Sequence, residues 1–160
     1  MSKPEDYETE DPWGYKTNPC DQKRKSIIIG ALKSYPIFNK ALDVGAGEGW
    51  ITQDIPAKEK FAFEQSENAK ARLPKNVVGL SKPEGRYDLV IATGVLYPHY
   101  NSCQLIKLIK DHASNIILTC NIRDWEVPEV KTIGNQIYSE EFSYRDFYQK
   151  LRIFKIDSTS

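Results

Sequence analysis

The sequence has few of the features that staple a protein or tie it to a place. Its 160 residues contain three cysteines, Cys20, Cys103 and Cys120, an odd number with no C-x-x-C pair. That argues against a disulfide framework and a zinc site, and leads to the expectation of a reducing, cytoplasmic compartment. No apolar run approaches the roughly 18 residues of a membrane span. The opening Met1-Ser2-Lys3-Pro4-Glu5-Asp6 lacks the apolar core of a secretory signal, so no membrane association is expected. Neither sign of charge prevails: 22 lysines and arginines meet 22 aspartates and glutamates. The global field that draws a protein onto nucleic acid or an anionic bilayer is therefore missing. Internal repeats and low-complexity stretches are missing as well. What is left is chain enough for one domain, able to bury about two thirds of its unfolded surface. We expect a loosely held lead over residues 1–10 and one globular unit over residues 11–160.

The densest signal is Ala41-Leu42-Asp43-Val44-Gly45-Ala46-Gly47-Glu48-Gly49-Trp50. A short apolar run with one carboxylate enters three alternating glycines, and residues 50–55 beyond them can be helical: a strand, a tight turn and a helix start. Such a turn offers backbone amides to a nucleotide-like ligand at the end of a first strand. The spacing narrows the ligand. A dinucleotide G-x-G-x-x-G would need its third glycine where Trp50 stands, which disfavours NAD, and a P-loop would need Lys and then Ser or Thr where Trp50 and Ile51 stand. A carboxylate ahead of the glycines, Asp43, suits a cationic ligand and would repel a phosphate. A second acid, Glu64, ends the alternating segment Lys60-Phe61-Ala62-Phe63-Glu64, 21 residues beyond Asp43. This is near the interval of about 20 at which an acid on a second strand accepts ribose hydroxyls.

At these residues the chain resembles a known family: Leu42-Asp43-Val44-Gly45-Ala46-Gly47-Glu48-Gly49 is similar to the first motif of the class I S-adenosylmethionine (SAM) dependent methyltransferases. The resemblance implies a SAM cofactor, with S-adenosylhomocysteine (SAH) as product, held by Asp43, Gly45, Ala46, Gly47, Gly49, Trp50, Glu64 and Gln65. Asp11-Pro12-Trp13-Gly14-Tyr15, followed by Asp21-Gln22 and Lys25, resembles the entry of the nodulation-type N-methyltransferases. That implies an arm and helix over residues 11–35 closing on the cofactor, Trp13 and Tyr15 against it, and an amine as the favoured acceptor. Thr93-Gly94-Val95-Leu96-Tyr97 resembles the family's fourth motif, which implies that Thr93, Gly94 and Val95 lie beside the SAM methyl group. The motif is not Asn-Pro-Pro-Tyr or Asp-Pro-Pro-Tyr, so DNA is not the expected acceptor. The carboxylates of catechol-type metal enzymes are missing there too, so no metal is expected. After the third strand, Ser81 and Lys82 stand where many members place an adenine-binding Asp.

Along the rest of the chain, Asn18-Pro19 opens a helix whose apolar stripe is Ile28, Ala31, Leu32 and Tyr35, with Lys23-Arg24-Lys25 expected on a solvated face or, as the alternative, against an anionic acceptor. Residues 87–93 form a central strand buried on both sides. His99, with an ordinary pKa of about 6.5, and Tyr97 are the expected catalytic residues: His99 takes a proton or is a packed polar cap, and Tyr97 and Tyr100 turn their rings to a cationic centre or seal the pocket. A helix with the stripe Cys103, Ile106, Ile109 and Ala113 leads to a strand over 115–121. Arg123, Asp124 and Trp125 then offer acceptor contacts in a loop. Ser143 is expected to cap a helix over 143–151, with a last strand over 152–156. The expected fold is a single Rossmann-like, doubly wound α/β domain, with a mostly parallel sheet of six to seven strands, helices on both faces and a reduced C-terminal edge. The expected function is methyl transfer from SAM to an amine or hydroxyl of a small molecule or oligosaccharide. A SAM-binding or SAM-cleaving protein without transfer, or a protein or RNA methyltransferase, is the alternative.

Overall fold

The computed structural model describes residues 9–11 and 14–157. The lead over residues 1–8, together with Pro12 and Trp13 and the expectations placed on them, lies outside the described residues.

Seven strands form one sheet in the order β3-β2-β1-β4-β5-β7-β6. They are β1 Phe38–Val44, β2 Ala57–Phe63, β3 Val78–Leu80, β4 Tyr87–Thr93, β5 Ala113–Ile122, β6 Asn135–Tyr144 and β7 Phe147–Lys155. The first five run parallel, and β7 enters antiparallel between β5 and β6. Period-2 alternation gives the sheet two cores. Leu89, Ile91, Ile116 and Leu118 face one side, where helix α1, Pro19–Leu32, lays Ile28, Ile29 and Leu32. Val90, Ala92 and Ile117 face the other, where helix α3, Ser102–His112, lays Leu105, Ile106 and Ile109. A short helix α2, Glu67–Ala71, connects β2 to β3 and is capped by Ser66, whose hydroxyl accepts the Ala69 amide at 3.1 Å. In α1 the Asn18 side chain accepts the Cys20 amide at 2.8 Å with Pro19 at the first position, so the chain's start signals act as expected.

Four expectations are corrected. Residues 50–55 do not extend into a helix: only a single 3₁₀ turn, Thr52–Asp54, forms. Thr52 gives its hydroxyl to Asp43 at 2.7 Å, and Pro56 stops the chain before β2. Residues 143–151 are not a helix. Ser143 and Asp146 mimic a helix start, yet Arg145, with φ 54, makes a two-residue turn with Asp146, so that Tyr144 pairs with Phe147 and β7 runs back along β5. Burial at Gln149, Leu151 and Ile153 has period two, and pairing on both edges outweighs the local cap signal. The C-terminal edge is accordingly not reduced but closes with the ten-residue β6 and nine-residue β7. In α3 Cys103 is exposed, while Leu105 takes the buried place.

Candidate functional site

Because β1 connects to β2 on one side and β4 lies on its other side, the winding changes direction between β1 and β4, and a crevice opens at the carboxyl ends of the strands there. In this crevice lies a cavity of ≈ 230 Å³. Asp43, paired in register with Ile91 of β4, brings a buried carboxylate to its floor. Burial pushes the Asp43 carboxyl up to about 7; the hydrogen bond from Thr52 and the positive charge of Arg24 hold it from going higher. Between its ordinary value of 3.8 and about 7, the folded chain keeps a proton that the unfolded chain has released. Stability is therefore expected to fall as pH rises through that window, by on the order of 4 kcal/mol. Melting temperatures measured from about pH 5 to about pH 8 should show this decline in the wild type and a much shallower one in Asp43→Asn.

The glycine turn above Asp43 is braced from β2. The Gly45 amide donates to the Phe63 carbonyl at 2.8 Å, and the Gly47 amide donates to the Glu64 carboxylate at 2.8 Å. The other Glu64 oxygen accepts the Ser66 amide, also at 2.8 Å. Burial raises the Glu64 carboxyl above its ordinary value, and these amide bonds oppose the rise. Glu64 itself is buried and does not line the cavity, and Gln65 beside it is exposed. Gly49 also faces away from the cavity. With φ 78, a Cβ there would stand 2.8 Å from the Leu73 side chain and 2.9 Å from Pro74. Its role is close packing, so Gly49→Ala should lose about 2–4 kcal/mol in a denaturant titration, from left-handed strain plus the clash.

Tyr15 follows the glycine-turned entry, and its ring lies parallel to Trp50 at 6.4 Å. The Lys25 ammonium caps the Trp50 ring at 4.7 Å. Glu48 accepts the Asp11 amide at 3.0 Å and pairs with Arg72 at 2.9 Å, which ties residue 11 to the turn. At the end of β4 the Gly94 amide donates to the Cys120 carbonyl at 2.8 Å. Tyr97 accepts the Ile122 amide on its hydroxyl at 2.8 Å, and burial pushes that hydroxyl up to about 12. At neutral pH it stays protonated, and its contribution to the site is a ring wall. The Tyr100 amide returns to the Tyr97 carbonyl at 3.1 Å, so Tyr97-Pro98-His99-Tyr100 is a tight turn with His99 at its exposed tip. His99 does not line the cavity, and the base assigned to it from the sequence has no support in the geometry. His99→Ala is expected to leave any turnover within about twofold, since exposed substitutions away from the chemistry rarely cost more than about 0.5 kcal/mol.

Of the residues singled out from the sequence, Tyr15, Asp43, Gly45, Ala46, Gly47, Trp50, Thr93, Gly94, Val95 and Tyr97 line this one cavity. Gly49, Glu64, Gln65 and His99 do not, and Trp13 lies outside the described residues. Trp125 stands just beyond, edge-on to Tyr97 at 6.3 Å. Arg123 instead pairs with Asp124 and Glu141. Among the described residues no cluster of three His, Cys, Asp or Glu could hold a metal ion.

Several lining residues were missed, Ile122, Tyr144 and Gln149 among them, and one of those missed carries a buried charge. Arg24, expected on a solvated face with Lys23 and Lys25, is buried and lines the cavity. Its guanidinium donates to Gln149 at 3.3 Å and to the Cys120 carbonyl at 3.5 Å, and one nitrogen lies 3.5 Å from where a Cβ on Gly94 would stand. The signal was spacing: Asp21, Arg24, Ile28 and Leu32 fall on one helical stripe, so the polar pair continues the buried face instead of leaving it. Asp21 is neutralised on that face by Arg145 at 2.8 Å and by the Tyr144 hydroxyl at 2.5 Å.

No protein-family model and no curated protein sequence matches the chain. Solved structures do. An N-methyltransferase, NodS, of Bradyrhizobium japonicum WM9, in complex with SAH, superposes with a TM-score of 0.79 over 95% of both chains at 16% identity. The magnesium protoporphyrin IX methyltransferase ChlM of Synechocystis PCC 6803, with bound SAM, does so at 0.71 over 98% of this chain and 99% of that one, at 13% identity. The chain has the class I methyltransferase fold. That fold is not confined to one activity, since the [4+2]-cyclase SpnF superposes at 0.66 over 83% of this chain and 80% of its own, at 11% identity.

Proposed function

We propose that the chain binds SAM in the cavity between β1 and β4 and transfers its methyl group to a small-molecule acceptor. The observation that carries this is the buried Asp43 carboxylate at the cavity floor, framed by a braced glycine turn at the switch point of a methyltransferase-type sheet. The donor set fits the cofactor. Asp43 is placed to meet its ammonium group, and the rings of Tyr15, Trp50 and Tyr97 offer negative faces to its sulfonium. The Glu64 carboxylate, which accepts the Gly47 and Ser66 amides, would turn its remaining acceptor capacity to a ribose hydroxyl, a role that would draw Glu64 toward the cavity rim. SAM supplies an electrophilic methyl on a good leaving group. The chain's work is then to hold acceptor and methyl in line between Gly94 and the aromatic wall and to keep water out.

The entry resemblance favours an amine acceptor, carried by a small molecule or oligosaccharide, with no metal. The three free cysteines accord with a reducing, cytoplasmic setting, and among the described residues no helix is long and apolar enough to cross a membrane. A SAM-binding protein that transfers no methyl group is the second reading, favoured by the [4+2]-cyclase among the structural neighbours. Incubation of the purified chain with methyl-labelled SAM and acceptor mixtures separates the two. Label in an acceptor together with released SAH supports transfer; bound SAM that stays intact with every acceptor class supports the second reading.

A further inference from the structure

The cavity has two chemically different halves. The half over β1 and β2 holds Asp43 and the glycine turn. The half over β4, β5 and β7 is organised around Arg24, which touches Cys120 of β5 and Gln149 of β7 on the far side of β4 from that turn. Both contacts are long for charge-assisted bonds, and Arg24 forms no ion pair with any described carboxylate. Asp43, in the same cavity, feels its charge without pairing with it, Asp21 is engaged by Arg145 at 2.8 Å, and Glu126 by Arg152 at 3.0 Å. A guanidinium cannot shed its charge, so a buried one without a carboxylate stays poorly compensated until an anion arrives.

Aromatic rings lead from this charge to the surface. Tyr97 and Tyr100 line the cavity with centroids 6.0 Å apart, Trp125 stands against Tyr97, and Phe147 packs on Trp125 at 4.8 Å. Trp125 is 49% and Phe147 37% exposed, so the outer end of the track is open to a flat ligand. Among the described residues the same half offers no proton acceptor at neutral pH. Burial pushes the Tyr97 and Tyr144 hydroxyls up to about 12 and the Cys120 thiol up to about 11.

We propose that the acceptor is an aromatic carboxylic acid: its carboxylate pairs with Arg24, its ring lies along Tyr97 and Trp125, and a carboxylate oxygen takes the methyl group. This rests on the methyltransferase reading above and departs from the amine that the entry resemblance implies. The oxygen lone pair forms the O–CH₃ bond while the C–S bond breaks with its electrons going to sulfur. A methyl ester and neutral thioether sulfur result, and no proton moves, so the lack of a base is no obstacle. An ammonium acceptor would bring a second positive charge beside Arg24 and would need a base to become a nucleophile.

The test is calorimetric titration of the full chain, saturated with SAH, with naphthoate and with benzylamine, followed by mass spectrometry of products made with SAM. Naphthoate should bind and yield its methyl ester, and benzylamine should do neither. Arg24→Lys should weaken naphthoate about tenfold or more while SAH affinity changes by less than about twofold, because a point charge replaces the planar fork. Trp125→Ala, at a half-exposed position where misfolding is no concern, should weaken naphthoate about fivefold through lost ring contact. The proposal is overturned if naphthoate does not bind the SAH complex, if benzylamine is the compound methylated, or if Arg24→Lys costs SAH affinity and spares naphthoate. Failure of both SAM and SAH to bind the wild type would instead remove the methyltransferase reading, a result distinct from each of these.

Discussion

Asp43→Asn is expected to weaken SAM binding about 10- to 100-fold at pH near 8 while the protein remains folded. The asparagine oxygen can still accept the Thr52 hydroxyl that Asp43 takes at 2.7 Å, so the turn keeps its hydrogen bond and loses only the charge. A buried charge-assisted bond to an ammonium contributes about 1.5–3 kcal/mol, which sets the size of the loss. Because burial holds the wild-type carboxyl at about 7, its ionised fraction falls below that pH, and the gap between wild type and variant should close as the buffer is made acidic. Above it the variant should be the more thermally stable of the two, since it buries no charge. Greater stability together with weaker binding separates loss of a ligand contact from misfolding. Equal affinities for SAM at alkaline pH would sink the assignment of Asp43.

Glu64→Ala is expected to cost both stability and binding. The carboxylate holds the Gly47 and Ser66 amides at 2.8 Å each, and its removal leaves two buried donors without partners at about 1–3 kcal/mol apiece. For a chain of this size that is a fall in melting temperature of about 10 °C. Since the Gly47 amide belongs to the turn that frames the cavity, SAM affinity should fall with it. Glu64→Gln keeps one acceptor and should lose roughly half as much stability. An alanine variant that melts with the wild type would show that the brace is not what shapes the turn.

The glycine-turn half of the cavity was legible in the sequence because its signals are local. Three glycines, an acid two residues before the first of them and a second acid one strand later are set by a single β-turn-β unit, and the structure places that unit at the switch point of the sheet. The half around Arg24 was not legible, because it is assembled from distant segments. Arg24 of α1, Tyr97 after β4, Ile122 of β5 and Gln149 of β7 meet only when β7 inserts beside β5, and the local pattern at Ser143 and Asp146 hid that strand behind a helix signal. His99 misled for the opposite reason: its neighbours in sequence line the cavity, but the tight turn from Tyr97 to Tyr100 carries it outward. Residue type suggested a base, and backbone direction placed it in solvent.

Calorimetric titration of the wild-type chain with SAM, repeated in buffers of different ionisation enthalpy near pH 7, tests the account at its centre. The expected result is one site per chain with micromolar affinity and release of a fraction of a proton, as the cofactor's positive charge drives Asp43 to its ionised form. No heat of binding, and no rise in melting temperature at millimolar SAM, would contradict it.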